Sequence, residues 1–149
     1  MGPHVADLTI STEDYEPDGR MPDRLAKEGG NEAPRFVVAG VPKDAVELAL
    51  VVHDPDAPMA RGFTHWVVYG LPAVDGPIDP SVGRAAPTTA GEAGWYGPQP
   101  PVGHGTHRYY AWVYALTEPI AGEPTREAFL DRHAGAILEQ NRVVGTYSR

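Results

Sequence analysis

Two histidines in this sequence each open a run of aromatic and β-branched residues. His65 begins "HWVVYGLP", and His107 begins "HRYYAWVYAL". An imidazole donates hydrogen bonds and gains a proton near neutral pH, so two such rings at one site could hold an anion. Both runs are typical of strands. If the strands start at the same end of a sheet, their histidines lie together at the mouth of the core.

Aspartate and proline are concentrated in "DPDAP" (54–58), shortly before His65. One interpretation is a rigid turn, because aspartate before proline is a common turn element. The other is functional: one carboxylate, of Asp54 or Asp56, accepts a hydrogen bond from a histidine and fixes its tautomer, while the other lines a pocket wall. We also expect a cis peptide bond before one of the two prolines, since cis proline tends to occur in turns.

A glycine- and proline-rich stretch, "GWYGPQPPVGHGT" (94–106), leads directly to His107. Glycine lets the backbone approach a ligand closely, and proline stiffens a rim. The residue order does not match the GxxxxGK[ST] motif of a phosphate-binding P-loop. The stretch is therefore expected to form either the rim of a site or a purely structural loop.

A metal-assisted hydrolase is an alternative use of the same region. Nitrogen and oxygen ligands would come from His53, Asp54, Asp56, His65, His104 and His107. However, no two histidines have the HExxH spacing, and a strand starting at position 107 would not put His104 on one face with His107. His53 should point away from Asp54. No serine adjoins a histidine or lies in a GxSxG motif. We expect no metal, no cofactor and no catalytic residue.

Composition excludes several classes of partner. The net charge of -8 argues against nucleic acid, because binding a phosphate backbone needs clustered lysine and arginine. The chain has no cysteine, so it forms no disulfide and holds no thiolate-bound zinc. It also lacks an 18-residue apolar run and an apolar leader segment, so we expect no stable membrane insertion and a cytoplasmic location. A secreted form whose leader had been removed would have the same features.

Hydrophobic periodicity predicts one β-rich domain, residues 1–149, with helices to one side. Residues 12–34 and 72–106 are expected to be connections, the second with room for a short helix. Residues 125–141 should form one or two short helices. The predicted strands are residues 5–11, 35–42, 45–54, 64–72, 107–116 and 142–149, the last at a sheet edge.

Strand alternation also predicts which side chains share a face. His107 and Tyr109 should lie on one face of their strand. His65, Val67 and Tyr69 should form the equivalent face of the other aromatic strand.

The stretches "DPDAP", then "HW", then "GPQPPVGHGTHRYYAWVYAL", with the ending "ILEQNRVVGTYSR", carry a family resemblance in that order. They resemble the phosphatidylethanolamine-binding protein (PEBP) family, specifically its shorter bacterial branch, often called Raf kinase inhibitor-like. The likeness runs from about residue 30 to the C-terminus. It implies a mainly β fold with a central antiparallel sheet, a smaller second sheet and short peripheral helices.

The resemblance further implies a pocket for phosphate-like anions without a general catalytic activity. By position, the ligand-binding residues are Asp54, Asp56, Ala57, Pro58, His65, Gly97, Pro98, Pro100, Pro101, His107 and Tyr109. Longer members carry a C-terminal helix that helps to close the pocket, whereas this sequence ends with "GTYSR", so we expect a bound lipid tail to be exposed. Some bacterial members are homodimers, which makes a homodimer a further expectation.

Three functional hypotheses follow. The leading one is a non-catalytic protein that binds a small anion, such as phosphate or the phosphoethanolamine headgroup of a phospholipid. The second is a protein-interaction module that inhibits a kinase or a protease. The third is the metal-assisted hydrolase described above.

Overall fold

The computed structural model describes residues 7–149, so His4 and the first residues of the predicted strand 5–11 lie outside the described residues. Strands dominate this part of the chain. They are β1 (Thr9–Thr12), β2 (Phe36–Ala39), β3 (Glu47–Asp54), β4 (Phe63–Leu71), β5 (Gly76–Pro77), β6 (Arg84–Ala85), β7 (His107–Leu116) and β8 (Ile137–Tyr147). One α-helix, α1 (Arg126–Arg132), is joined by 3-10 turns at Asp23–Leu25, Pro80–Val82 and Ala134–Ala136.

The strands form two antiparallel sheets. The larger sheet has the order β6-β4-β3-β7-β8, and the smaller one has the order β1-β2-β5. The prediction of a mainly β fold with a central sheet, a smaller second sheet and short peripheral helices is therefore confirmed. None of the helices in residues 7–149 is long and apolar enough to cross a membrane.

Strand β3 lies at the centre of the larger sheet, and all eight of its residues are buried. Its side chains alternate between two hydrophobic clusters. Leu48, Leu50 and Val52 face the cluster that the smaller sheet covers, whereas Ala49 and Val51 face a second cluster on the opposite side. A strand covered on both faces must be apolar throughout, which explains the nearly continuous hydrophobic run from residue 45 to residue 54.

Helix α1 covers the second cluster. Phe129, the buried residue of the helix, packs against the rings of Tyr69 and Tyr114, with centroids 5.5 Å and 5.2 Å apart. The Thr125 side chain caps the helix by accepting a hydrogen bond from the Ala128 backbone N–H. The helix is thus held at its start and along its apolar side.

Two predicted segments differ from the structure. Residues 137–141 were expected to be helical, but they pair with β7 as the first half of β8. Backbone pairing along an exposed sheet edge outweighs the weak helical spacing of these residues. The connection 72–106 contains a 3-10 turn, as expected, but also β5 and β6, which are too short at two residues each to leave a periodic signal.

The polar connection 12–34 is ordered by a buried carboxylate. Asp14 accepts hydrogen bonds from the side chain of Arg24 (2.6 Å) and from both the side chain (2.9 Å) and the backbone (2.7 Å) of Arg35. Burial alone would raise the pKa of Asp14, but the hydrogen bonds from Arg35 and Arg24 outweigh it and lower the pKa to about 2. These bonds tie the connection to the start of β2.

We expect Asp14→Asn to destabilise the protein by about 1–2 kcal/mol at neutral pH. This value lies below what the full pKa shift implies, because both arginines are partly exposed and screened. A lowered folded-state pKa stabilises the fold above the unfolded value near 4 and is lost as pH falls towards about 2. Urea unfolding between these pH values should show that the free energy of unfolding falls less steeply with decreasing pH in the variant than in wild type. Asp131→Asn, at an exposed position, is the control. An equal pH dependence of the free energy of unfolding in wild type and Asp14→Asn would contradict the stabilising role of Asp14.

Candidate functional site

The candidate site forms where three strands of the larger sheet end or begin. Asp54 is the last residue of β3, Phe63 is the first of β4 and His107 is the first of β7. Because β3 is antiparallel to both neighbours, its C-terminal end lies beside the N-terminal ends of β4 and β7. The sheet topology thus brings the "DPDAP" turn, His107 and the first residues of β4, including His65, to one place.

A β-bulge places His65 in this site. The pairing of β3 with β4 shifts between His53↔Thr64 and Val52↔Trp66, which leaves His65 as the extra residue. Its ring lies 5.1 Å from the ring of Tyr109, centroid to centroid. The prediction that His65 shares a face with the residues two and four positions later is therefore wrong, since Val67 and Tyr69 belong to the second cluster.

The second histidine is paired with a buried acid. His107 Nδ1 lies 2.7 Å from Asp54 Oδ2, and both side chains are almost completely buried. The other oxygen of Asp54 accepts a hydrogen bond from the Asp56 backbone N–H at 2.7 Å. Burial raises the pKa of Asp54, and the hydrogen bonds from His107 and Asp56 oppose this rise. His107 therefore donates from Nδ1, as the functional interpretation of the turn predicts.

His65 is neutral and has a defined tautomer. Its Nδ1 lies 2.6 Å from the backbone carbonyl oxygen of Tyr96, and because a carbonyl only accepts, Nδ1 carries the hydrogen. Burial lowers the pKa of His65 to about 4. In the neutral ring Nε2 is then a hydrogen-bond acceptor. The rings of Phe63 and Tyr109 lie 4.6 Å and 5.1 Å from the imidazole.

These residues border a cavity of about 170 Å³. Most of its wall is aromatic or aliphatic, with a few polar groups. It is smaller than the sites of about 300–1,000 Å³ that hold drug-sized ligands. The lining residues are Asp54, Ala57, Pro58, Met59, Phe63, His65, Tyr96, Gln99, Pro100, Pro101, His107 and Tyr109.

Three residues assigned to the pocket by resemblance do not line the cavity. Asp56 accepts hydrogen bonds from the backbone and side chain of Arg108. A methyl group on Gly97 would meet the Leu25 carbonyl oxygen at 2.2 Å, so this glycine permits close backbone contact. The carbonyl oxygen of Pro98 accepts from the Lys27 N–H at 3.0 Å. All three hold the loops around the cavity in place.

Four lining residues were missed by the sequence analysis: Met59, Phe63, Tyr96 and Gln99. They lie within the "DPDAPMARGFTHW" and "GWYGPQPPVGHGT" stretches, so the motifs locate them approximately. Tyr96 and Gln99 also hydrogen-bond to each other, from the hydroxyl to Oε1 at 2.8 Å. Their exact roles depend on how the rim folds, which periodicity does not describe.

His104 contacts His107, contrary to expectation. Its Nδ1 lies 2.6 Å from His107 Nε2, because a turn closed by the His104 N–H and the Pro101 carbonyl folds the loop back over the strand. The resulting row of Asp54, His107 and His104 is a hydrogen-bonded chain, with neighbouring groups bonded to each other. Within residues 7–149, no three His, Cys, Asp or Glu side chains are grouped to hold a metal ion.

Two further expectations concern the "DPDAP" turn and His53, which precedes it. The predicted cis proline bond is wrong, because all peptide bonds among the described residues are trans. His53 does point away from Asp54. Its Nδ1 lies 2.9 Å from the Thr64 hydroxyl, and burial, with a contribution from the positive charge of Arg126, lowers its pKa to about 4.

Comparison with known proteins agrees with this arrangement. The family model described as phosphatidylethanolamine-binding protein matches residues 11–148, which is nearly the whole chain. The chain belongs to the PEBP family.

Relatives and solved structures support this membership in the family. The PEBP chain is 33% identical to a UPF0098 protein from Methanothermobacter thermautotrophicus, over 95% of this chain and 99% of that protein. It is 35% identical to LppC of Mycobacterium tuberculosis over 97% of this chain and 74% of that protein. LppC is named as a lipoprotein. A crystal structure of a PEBP homologue from Chlamydia trachomatis matches with a TM-score of 0.88 and 27% identity, over 97% and 99% of the two chains.

A second solved structure bears on the PEBP fold alone. Escherichia coli YbcL, described as a member of the mammalian PEBP family, matches with a TM-score of 0.87 at 23% identity. The alignment covers 97% of this chain and 99% of YbcL. The two-sheet architecture is therefore shared at low sequence identity.

The two aspartates of the PEBP-family turn should differ in their effect on stability. Both oxygens of Asp54 accept hydrogen bonds in a buried site, so Asp54→Asn must turn its amide NH₂ towards one of the donors. We expect a loss of about 1–3 kcal/mol. Asp56→Asn breaks a partly exposed pair with Arg108 and should cost less than about 1 kcal/mol. Urea unfolding of both variants tests this, and equal losses would contradict the distinction.

Proposed function

We propose that this chain is a non-catalytic binding protein for a small oxyanion, such as phosphate or the phosphoethanolamine headgroup. The observation that carries the proposal is the buried Asp54–His107 pair on the wall of a small cavity, with His65 on the same wall. A buried carboxylate costs desolvation free energy, and its hydrogen bond to a histidine fixes the tautomer and the orientation of the ring. The size of the cavity favours a headgroup rather than a larger ligand.

The walls of the cavity would strengthen binding to such a group. Phe63, Tyr109 and the paired prolines Pro100 and Pro101 exclude water from much of the surface. A hydrogen bond to a charged oxygen is stronger in such surroundings than in water. The few polar groups would therefore fix the position of a ligand that is mostly enclosed by apolar side chains.

Two polar groups of the cavity wall, on Asp54 and His65, are acceptors, whereas the Tyr109 side chain on the same wall carries a hydroxyl that can donate. Asp54 contributes a carboxylate, and neutral His65 presents Nε2 without a hydrogen. An oxyanion also only accepts hydrogen bonds, so it cannot bind to these groups as they stand. An anion that contacts either of these two groups must therefore bring in a proton, either on an imidazole or on the ligand. A monoanion with an O–H group, or an anion that protonates His65 on entry, meets this requirement.

A protein-interaction module is a second candidate function. Two exposed apolar side chains support it: Met59 on the cavity wall is 51% exposed, and Val102 in the adjoining loop is 79% exposed. Exposed apolar groups beside a cavity are common in protein interfaces. A kinase or protease that bound this face and ignored changes inside the cavity would favour this candidate. Cytoplasmic location and homodimer formation stay predictions.

Removal of the His65 imidazole tests the leading proposal. We expect His65→Ala to weaken phosphate binding by roughly 10- to 100-fold, because a charge-assisted hydrogen bond is lost. Isothermal titration with phosphate and with phosphoethanolamine measures the effect. His133→Ala removes an imidazole at the C-terminal end of α1, outside the cavity lining, and should bind as wild type does. Equal affinity in all three proteins would argue against the cavity as the binding site.

Affinity should also fall as pH rises. Free His65 has its pKa lowered to about 4, whereas a bound anion favours the imidazolium and raises that pKa. Between the two values, affinity for the anion should drop by up to about tenfold per pH unit. Sulfate, which stays a dianion between about pH 5 and pH 8, reports protonation of the protein alone. A pH-independent affinity for both sulfate and phosphate would contradict proton uptake.

A further inference from the structure

Both ring nitrogens of His107 are already occupied. Nδ1 donates to Asp54 Oδ2, and Nε2 lies 2.6 Å from His104 Nδ1. A ring with two occupied nitrogens has no further site for an in-plane hydrogen bond. If His107 is to hold a ligand in the cavity, the contact between the two histidines must first break.

We propose that His104 is a specificity-determining residue of the cavity: it competes with the oxyanion for His107 Nε2 and is displaced when the oxyanion binds. This inference rests on the proposed function. Nδ1 of His104 and Nε2 of His107 share one hydrogen, so one ring donates and the other accepts. A ligand oxygen can replace His104 only if His107 carries a hydrogen on Nε2.

Few contacts hold the loop around His104 in a position where its side chain reaches His107. Pro101 to Thr106 are all exposed, and a Cβ added to Gly103 or Gly105 would meet nothing within 4 Å. Both glycines have positive φ values, +77° and +94°, which other residues rarely adopt. Besides the histidine contact, the Gly103 N–H donates to the Arg149 carbonyl at 3.0 Å. Few contacts therefore need to break when the His104 side chain swings outward.

The competition selects ligands by their chemistry. A ligand that displaces His104 must form a hydrogen bond to His107 at least as strong as the one that is lost. A neutral acceptor replaces one ordinary hydrogen bond with another and gains little. A charged oxygen forms a stronger bond to the N–H of His107 and so gains on exchange. His104 thus disfavours neutral ligands and leaves the cavity open to oxyanions.

The test is phosphate titration of His104 variants. Removing the competitor in His104→Ala should tighten phosphate binding about two- to tenfold, the factor that corresponds to one ordinary hydrogen bond. In His104→Asn the side-chain amide can still hydrogen-bond to His107 Nε2, accepting through Oδ1 when that nitrogen carries a hydrogen, so affinity should return towards that of wild type. Val102→Ala changes the same loop without touching the histidines and should bind as wild type does. Unchanged or weaker binding in His104→Ala would overturn the proposal.

A ligand-free measurement separates this proposal from the proposed function. Diethyl pyrocarbonate modifies free imidazole nitrogens, and its initial rate at His107, followed by peptide mass spectrometry, reports whether Nε2 is covered. The rate should be about two- to tenfold higher in His104→Ala than in wild type, His104→Asn or Val102→Ala. Equal rates overturn the role of His104 whether or not phosphate binds. If the rate is higher in His104→Ala but no variant binds phosphate, the covering of His107 by His104 is supported and the anion-binding function is rejected.

Discussion

The site depends on one buried hydrogen bond, between Asp54 and His107, at the end of the central strand. A carboxylate with 3% of its side chain exposed must be compensated by donors, and His107 and the Asp56 backbone N–H provide them. Both donors come from chain segments that the antiparallel sheet already holds close to Asp54. The pair therefore fixes the end of β3, the following turn and the start of β7 relative to one another.

The rest of the cavity is arranged around this fixed point. The "DPDAP" turn supplies part of the wall, and the proline-rich loop supplies another part. Residues that do not reach the cavity hold these walls from behind, since Asp56 binds Arg108 and Gly97 packs against Leu25. A motif can thus surround a cavity while only some of its residues line it. The outer members position the inner ones.

Much of this could be predicted from sequence because the main strands are long and regular. The apolar run of β3 and the aromatic run of β7 are located to within a few residues by periodicity alone. The two-residue strands β5 and β6 leave no such pattern. The bulge at His65 and the contact between His104 and His107 were also missed, because each depends on where the backbone departs from regular alternation. Two imidazoles of the candidate site, those of His65 and His104, lie at these irregular positions.

The bulge at His65 divides β4 into two parts with separate side-chain phases. Before it, Phe63 faces the cavity; after it, Val67 and Tyr69 alternate in step with the second cluster. A one-residue deletion at the bulge would restore regular pairing and leave Phe63 and Trp66 opposite their present partners, but it would remove the His65 imidazole from the cavity. The bulge thus adds one imidazole to the cavity wall while the residues that follow it keep their regular packing in the two hydrophobic clusters.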